Sequence, residues 1–426
     1  MNILYYTWQE IISDDIFSTL VSFGFNVTKL QYKLKNNISD SEFIKYIENM
    51  LDNGYDGEKY DCILSCNFLP VLSKVAWRKK IKYVSWCYDS PCMTLYSDMI
   101  YNPYNYIFHF DSFEAERLKK SGVEHAYHMP LAVNCSRVNK LISKGSNEDK
   151  ICEMSELNQM NYKINNGMCY DNGITFMGSM YNSISDYDDL YCRLDDYLKG
   201  RFDAILGVNN LFAGMDLLDE LVNEDLMKEI NKIISFTHID EYHIGDSEVV
   251  KNILSRKISG NDRMRIVKKL AEKYKLTLYT TSAIQAIHNV CNKGPLEYLH
   301  KMPVVFHNSK ININLTLRCI RKGIPLRALD IMGAGGFLLS DYQQELDDLF
   351  VDGEDMVLFY NDEDMLDKIE YYLNHDKERC EIAANGHRKV MEMYDYKNAW
   401  ERIFGIVKKT VVGFYILLTY CIISGK

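Results

Sequence analysis

The sequence predicts an α/β protein made of two doubly wound parallel sheets. Short apolar runs of strand length alternate with amphipathic helical stretches through the first third of the chain, the pattern of parallel strands joined by crossover helices. The same alternation restarts after a polar tract at 136–171. A chain of 426 residues also exceeds what one ordinary core organises, so two domains are expected.

In the first series, strands are expected over 2–7, 26–30, 61–66, 82–86, 106–110 and 124–129, with helices such as 14–23, 41–52 and 112–121 between them. Residues 136–171, rich in Asn, Lys and Glu, read as a loop-rich excursion or linker. The second series opens with the strand Gly173-Ile-Thr-Phe-Met-Gly178. A long helical stretch then runs from about 187 to 274. Strand signals return at 275–280, 303–307, 337–340 and 355–359, and helices are expected over 309–319, 325–332, 362–373 and 377–391. The domains are therefore placed at 1–170 and 171–400, with 401–426 a C-terminal helix and apolar tail. In such sheets ligands bind beyond the carboxyl ends of the strands, so residues just after strands are the functional candidates.

Composition narrows the function. A formal net charge of −10 and the lack of a long Lys/Arg block argue against a nucleic-acid binder. Trp8-Gln-Glu10 follows the first strand where a dinucleotide enzyme would carry a glycine-rich turn, and neither a P-loop nor a Gly-x-Ser-x-Gly elbow occurs. The 12 cysteines form no Cys-x-x-Cys pair, so zinc is not expected, and their scatter fits a reducing cytoplasm. The N-terminus reads as a strand, not a signal peptide. After Lys408-Lys409 comes an apolar run of about 15 residues, short of the roughly 20 needed to span a bilayer. It is either a helix packed on the protein or an interfacial membrane anchor.

The densest functional signal lies at 322–340. Gly323 loosens the backbone, and Pro325 suits the first helical position. The amides of that turn and the helix dipole make an anion site. Arg327 adds a fork of donors suited to phosphate. Asp330, three residues on, shares its face and is a candidate acceptor for ribose hydroxyls. Gly333, Gly335 and Gly336 end the helix and turn the chain into the apolar run 337–339. Gly335 and Gly336 join the candidate nucleotide-binding set. A capped helix with solvated Arg and Asp explains the same local pattern.

Other strand ends carry further candidates. Trp86-Cys-Tyr-Asp-Ser-Pro91 offers Trp86 and Tyr88 as stacking surfaces and Asp89 as a general base, or else an Asp-Ser-Pro turn that caps a helix. Asp111 or Ser112 caps the next helix, with a site role for His109 or Asp111 the less favoured reading. Gly178 permits close backbone approach and Ser179 can donate to phosphate, or the pair forms a plain turn. Lys310 and Asn314, read on one helix face, suit a phosphate and a sugar or base edge, or the segment is a capped amphipathic helix with solvated polar groups. Tyr342, Gln343 and Glu345 follow a strand near the crevice mouth, or Glu345 completes a helix cap. Asp186, Asp188 and Asp189 open a helix, where acids complement the dipole, so no metal site is assigned.

These stretches together resemble a known family. Tyr279-Thr280, Ser309-Lys-Ile-Asn-Ile-Asn314, Gly323-Ile-Pro-Leu-Arg327, Asp330-Ile-Met-Gly-Ala-Gly-Gly-Phe-Leu-Leu339, Tyr342-Gln343, Glu345-Leu346, Gly353-Glu354 and Asn385-Gly386 resemble the C-terminal domain of GT-B glycosyltransferases of the spore-maturation CgeB-like group. Tyr83-Val-Ser-Trp-Cys-Tyr-Asp-Ser-Pro91, Asn102-Pro103, Tyr106-Ile-Phe-His-Phe-Asp-Ser112 and Pro130-Leu-Ala132 resemble the N-terminal domain often joined to it. The resemblance runs from about residue 60 to 405. It implies two Rossmann-like domains facing a central cleft and transfer of a sugar from a nucleotide donor, most simply a UDP-sugar. The donor would bind the second domain and a protein, glycan or other hydroxyl acceptor the first. No cofactor and no bound metal are implied. The helix dipole, Arg327 and Lys310 would stabilise the departing diphosphate. One position departs from the pattern. Large retaining GT-B families carry two glutamates eight positions apart; Asp330 matches the second, and Lys322 stands at the first. The other readings are a catalytically silent nucleotide-sugar-binding partner of a transferase, and a sugar-nucleotide epimerase.

Overall fold

The computed structural model describes residues 1–145, 172–181, 184–209, 217–236 and 242–408. The chain divides into two compact units, Met1–Asn134 with Met393–Lys426, and Cys135–Glu392. The first boundary, expected at 170, thus falls at Asn134, and the C-terminal helix belongs to the first unit. Among the described residues no helix is long and apolar enough to cross a membrane. The apolar tail beyond 408 and most of the polar tract lie outside the described residues.

The first unit is a six-stranded parallel sheet: β1 (Asn2–Thr7), β2 (Asn26–Gln31), β3 (Cys62–Cys66), β4 (Lys82–Cys87), β5 (Asn105–His109) and β6 (Ala126–His128), in the order β2-β1-β3-β4-β5-β6. Register is set by pairs such as Ile3 with Cys62 and Ile63 with Tyr83. The crossovers α1 (Ser13–Ser22), α2 (Ser41–Asn53), α3 (Pro70–Lys79) and α4 (Ser112–Lys120) start as their sequences direct. Asp40 and Asp111 cap α2 and α4 by accepting from Phe43 and Phe113 amides, and Pro70 opens α3. A helix over 396–408 closes one face: Trp400 is fully buried, its indole donates to Thr19 Oγ1 at 3.0 Å, and its ring meets Trp86 edge-on at 5.3 Å. That burial explains why the helix does not trail the second unit.

The second unit begins with α5 (Cys135–Gly145) and holds a second six-stranded parallel sheet: β7 (Asn172–Met177), β8 (Leu276–Tyr279), β9 (Val290–Asn292), β10 (Ser309–Asn314), β11 (Leu338–Asp341) and β12 (Val357–Phe359), ordered β12-β11-β10-β7-β8-β9. Its first strand is central and the order reverses between β7 and β10. Between β7 and β8 stand α6 (Ser185–Arg193), α7 (Asp196–Asn209), α8 (Leu218–Leu221), α9 (Glu224–Ile233) and the long α10 (Asp246–Lys273). They bury a core of their own around Leu198, Phe202, Leu226, Ile230 and Leu254. The rest follows as α11 (Met302–His307), α12 (Leu326–Gly333), α13 (Gln344–Leu349), α14 (Asp362–Asn374) and α15 (Asp376–Met393).

One pair of expectations is exchanged. The β-branched run at 303–307 forms helix α11 and the segment from Ser309 forms strand β10. Pro303 stands in the first turn of α11, where its missing amide costs nothing. The alternation Lys310-Ile-Asn-Ile-Asn314 fits a central strand whose buried asparagines are satisfied from neighbours. Asn312 Nδ2 donates to the carbonyls of Phe306 (3.0 Å) and Phe337 (3.3 Å).

Candidate active site

In the second unit the switch point lies between β7 and β10, where a doubly wound sheet opens its crevice. Arg263 of α10 spans it. Its Nη1 donates to the carbonyl of Ser179, just after β7, and its Nη2 to the carbonyl of Leu315, just after β10, at 2.7 Å. Gly260, one turn earlier, lets α10 meet the backbone of Tyr181; a Cβ there would sit 2.2 Å from that carbonyl oxygen. Gly178 lies against the Arg263 guanidinium, and its amide donates to Tyr279 O at 3.0 Å. The Ser179 hydroxyl is 3.3 Å from that of Ser282, on the loop after β8.

Arg327 reaches the same place from the first turn of α12. Its guanidinium touches the sulfurs of Met177, at the end of β7, and Met302, and lies 5.5 Å from the centre of the Phe306 ring. Among the described residues no carboxylate pairs with it. Burial holds the Arg263 guanidinium below the usual arginine range, and the nearby Arg327 charge pushes the same way, against Tyr181 and Asp341. Two cations with incomplete compensation at a strand end make a site for an anion. Pro325 is the N-cap rather than the first helical residue, and no side chain caps the amides that follow.

The other expected residues divide by strand end. Asp330 is buried one turn after Arg327 and accepts from the Tyr298 hydroxyl at 2.9 Å. Asn314 sits at the carboxyl end of β10, its amide committed to Ser340 Oγ (2.9 Å) and Thr316 Oγ1 (3.2 Å). Tyr342 follows β11 and stacks on Tyr360, and Glu345 is buried in the first turn of α13. Lys310 is different. Once its segment is a strand, it stands at the amino end of β10, the opposite edge, near Asp376 (3.6 Å).

Gly335 and Gly336 also belong to that opposite edge, where they stop α12. Gly336 N donates to Ile331 O and Gly335 N to Met332 O, the two bonds of a Schellman turn, with Gly335 at φ +67°. A Cβ on Gly336 would sit 2.7 Å from Phe306 O and 2.8 Å from Asn312 Nδ2. Gly336→Ala is therefore expected to lower unfolding stability by about 1–3 kcal/mol. Thermal denaturation checks this, and ligand affinity of the folded fraction should not move.

Asp341 ends β11 and accepts from the Thr316 amide (3.0 and 2.9 Å) and hydroxyl (2.8 Å). Burial pushes its carboxyl up to about 6, with the Thr316 donors and Arg318 pulling down. The folded chain therefore holds this proton more tightly than the unfolded chain, whose aspartate titrates near about 3.9. Its contribution makes the fold more stable as pH falls through 6 toward 4. Comparing the pH dependence of melting temperature for wild type and Asp341→Asn should show this component only in the wild type.

In the first unit the strand order turns between β1 and β3, and a cavity of about 700 Å³ opens there. Asp89, after β4, lines it. It caps no helix: Asn67 Nδ2 donates to its Oδ2 at 2.5 Å, while Asn67 Oδ1 accepts from the amides of Tyr88 (3.0 Å) and Asp89 (3.2 Å). Desolvation by the cavity walls raises the Asp89 carboxyl above the usual range, and the Asn67 bond opposes it. Tyr88 stacks on Trp8 at 6.5 Å and 7°. Trp86 instead faces the core, so it is no stacking surface for a ligand. Asp111 is a helix cap, and His109 Nδ1 accepts from its amide at 3.1 Å.

Sequence reasoning missed Arg263 and Asn67. Arg263 interrupts the buried stripe Ser259, Ile266, Val267, Leu270 of α10, and a cation on an apolar stripe is a legible signal. Asn67 directly follows β3, where the strand-end rule points.

Two parallel six-stranded sheets, each turning about its first strand, define an α/β protein with the GT-B fold. Residues 259–405, about a third of the chain, match the family model described as glycosyl transferase-like. That segment includes Arg263, Arg327 and Asp330. Comparison with the curated proteins gives no significant match. Among solved structures, sucrose-phosphate synthase from Thermosynechococcus elongatus is similar at TM-score 0.52 and 9% identity, over 97% of this chain and 100% of that one. Anabaena HepE in complex with UDP (TM-score 0.47, 8% identity, 96% and 100% covered) is also similar. So is a UDP-forming trehalose-phosphate synthase from Burkholderia xenovorans (0.47, 10%, 96% and 98%). At such identities the first likeness speaks to the fold alone.

Proposed function

We propose that the protein transfers a sugar from a nucleotide-sugar donor, a UDP-sugar by preference, to a hydroxyl of a protein, glycan or other acceptor. The observation that carries this is the placement of Arg327 and Arg263 together at the end of β7, inside the segment that matches the glycosyltransferase model. The donor diphosphate sits on these two guanidinium groups and the first turn of α12. Asp330, held by Tyr298, takes the ribose. Lys322 in place of the first glutamate favours direct displacement. Asp89 accepts the acceptor hydroxyl proton, the oxygen bonds to the anomeric carbon, and the bond to the diphosphate breaks. The arginines supply the charge stabilisation that a divalent metal supplies elsewhere, so transfer needs neither metal nor cofactor. CgeB-like membership, a cytoplasmic location and peripheral membrane contact through the tail belong to the same proposal. Isothermal titration with UDP tests it; no binding at millimolar UDP would overturn the reading.

A further inference from the structure

The first unit's cavity carries information about the acceptor. We propose that it binds a neutral saccharide, so that the acceptor is an uncharged sugar rather than a sugar phosphate; the statement about the acceptor rests on the glycosyltransferase reading.

Backbone conformation marks the cavity as a site. Gln9 follows β1 at φ +70° and Asn67 follows β3 at φ +55°, one left-handed non-glycine residue on each strand flanking the switch point. Both line the cavity. Non-glycine residues held in this region are strained and cluster at ligand sites. The loop is fixed from below. Buried Glu10 accepts from the Trp8 amide at 3.1 Å, the Thr7 hydroxyl at 2.6 Å and the Tyr5 hydroxyl. At about 700 Å³ the cavity falls within the roughly 300–1,000 Å³ of small-molecule sites.

The lining chemistry selects the occupant. Trp8, stacked on Tyr88, presents a flat aromatic surface, which suits the C–H face of a pyranose. The amides of Gln9 and Gln31 both donate and accept, as sugar hydroxyls do. Asp89 has Oδ2 bound by Asn67, while its Oδ1 takes no hydrogen bond from the described residues. Lys33 is the one cation among the lining side chains, and no arginine lines the cavity. A phosphate would meet the Asp89 carboxylate without a guanidinium fork to hold it. The same chain shows the contrast at Arg263 and Arg327.

Saturation-transfer NMR on the full chain tests this. The probes are the methyl glycosides of glucose, galactose, mannose and N-acetylglucosamine, with glucose 6-phosphate and fructose 6-phosphate beside them. Transfer to at least one neutral glycoside is expected, with the phosphates at least fivefold weaker. Trp8→Ala should abolish it, with melting temperature and UDP affinity unchanged. Silence from all four glycosides, equal or stronger signals from the phosphates, or a glycoside signal that survives Trp8→Ala would overturn the proposal. A parallel UDP titration separates the failures. UDP binding without glycoside binding sinks only the saccharide cavity; glycoside binding without UDP binding sinks the transferase reading.

Discussion

Arg327→Ala is expected to weaken UDP binding roughly 10- to 150-fold, the equivalent of losing about 1.5–3 kcal/mol of charge-assisted hydrogen bonding. The substitution is unusually clean. The guanidinium rests on two thioethers and an aromatic ring, so no buried carboxylate is orphaned when it goes. Removing it also relieves the repulsion on Arg263. Melting temperature should therefore hold or rise while affinity falls, a combination that a packing defect does not produce. Arg327→Lys keeps the charge and loses the fork, and an intermediate affinity is expected. Unchanged UDP affinity in Arg327→Ala would remove the diphosphate from this end of β7. Arg263 is the wrong residue for this measurement: its two carbonyl partners would be left without their donor, and stability and affinity would fall together.

Asp89→Asn should lower kcat by about 10²–10⁴ while leaving UDP affinity unchanged, because only the proton acceptor is lost. The acid limb of the pH profile supplies a second check. Desolvation raises the Asp89 carboxyl, so the base form is lost as pH falls through a value above the ordinary aspartate range. Activity should decline on the acid side at that raised value, and Asp89→Asn should lack the limb. Asn67→Ala offers a third arm. Freed from the 2.5 Å bond that holds it, Asp89 should keep some activity with the acid limb displaced upward. A kcat for Asp89→Asn within tenfold of wild type would assign the proton to another group.

Most of the architecture was legible because its signals are local. The strands from Asn2, Asn26, Lys82 and Leu338 fall within a residue or two of expectation, since apolar runs of that length have few other uses. Arg327 was legible for the same reason: Pro325 and the glycine turn bound its helix from both ends. The exchange between α11 and β10 shows where local reading stops. Val304-Val-Phe306 has the propensity of a strand, yet Pro303 opens a helix there. The asparagines of β10 are tolerable in a central strand only because carbonyls and hydroxyls from neighbouring segments reach them. Lys310 was misplaced by that exchange, and with it went one expected phosphate contact.

By itself the sequence determined the fold class, two doubly wound α/β domains, and the helix that starts beside Pro325. These follow from periodicity, caps and turns, which act over a few residues. The tertiary structure alone decided which charges meet. Arg263 and Arg327 are far apart in sequence and converge because each helix delivers its arginine to the carboxyl end of β7. Asn67 orients Asp89 because β3 and β4 are neighbours. Gly335 and Gly336 fall to the far edge because α12 runs back across the sheet. Through-space convergence depends on strand order and register, and those are set by the burial of whole faces rather than by any short stretch of chain.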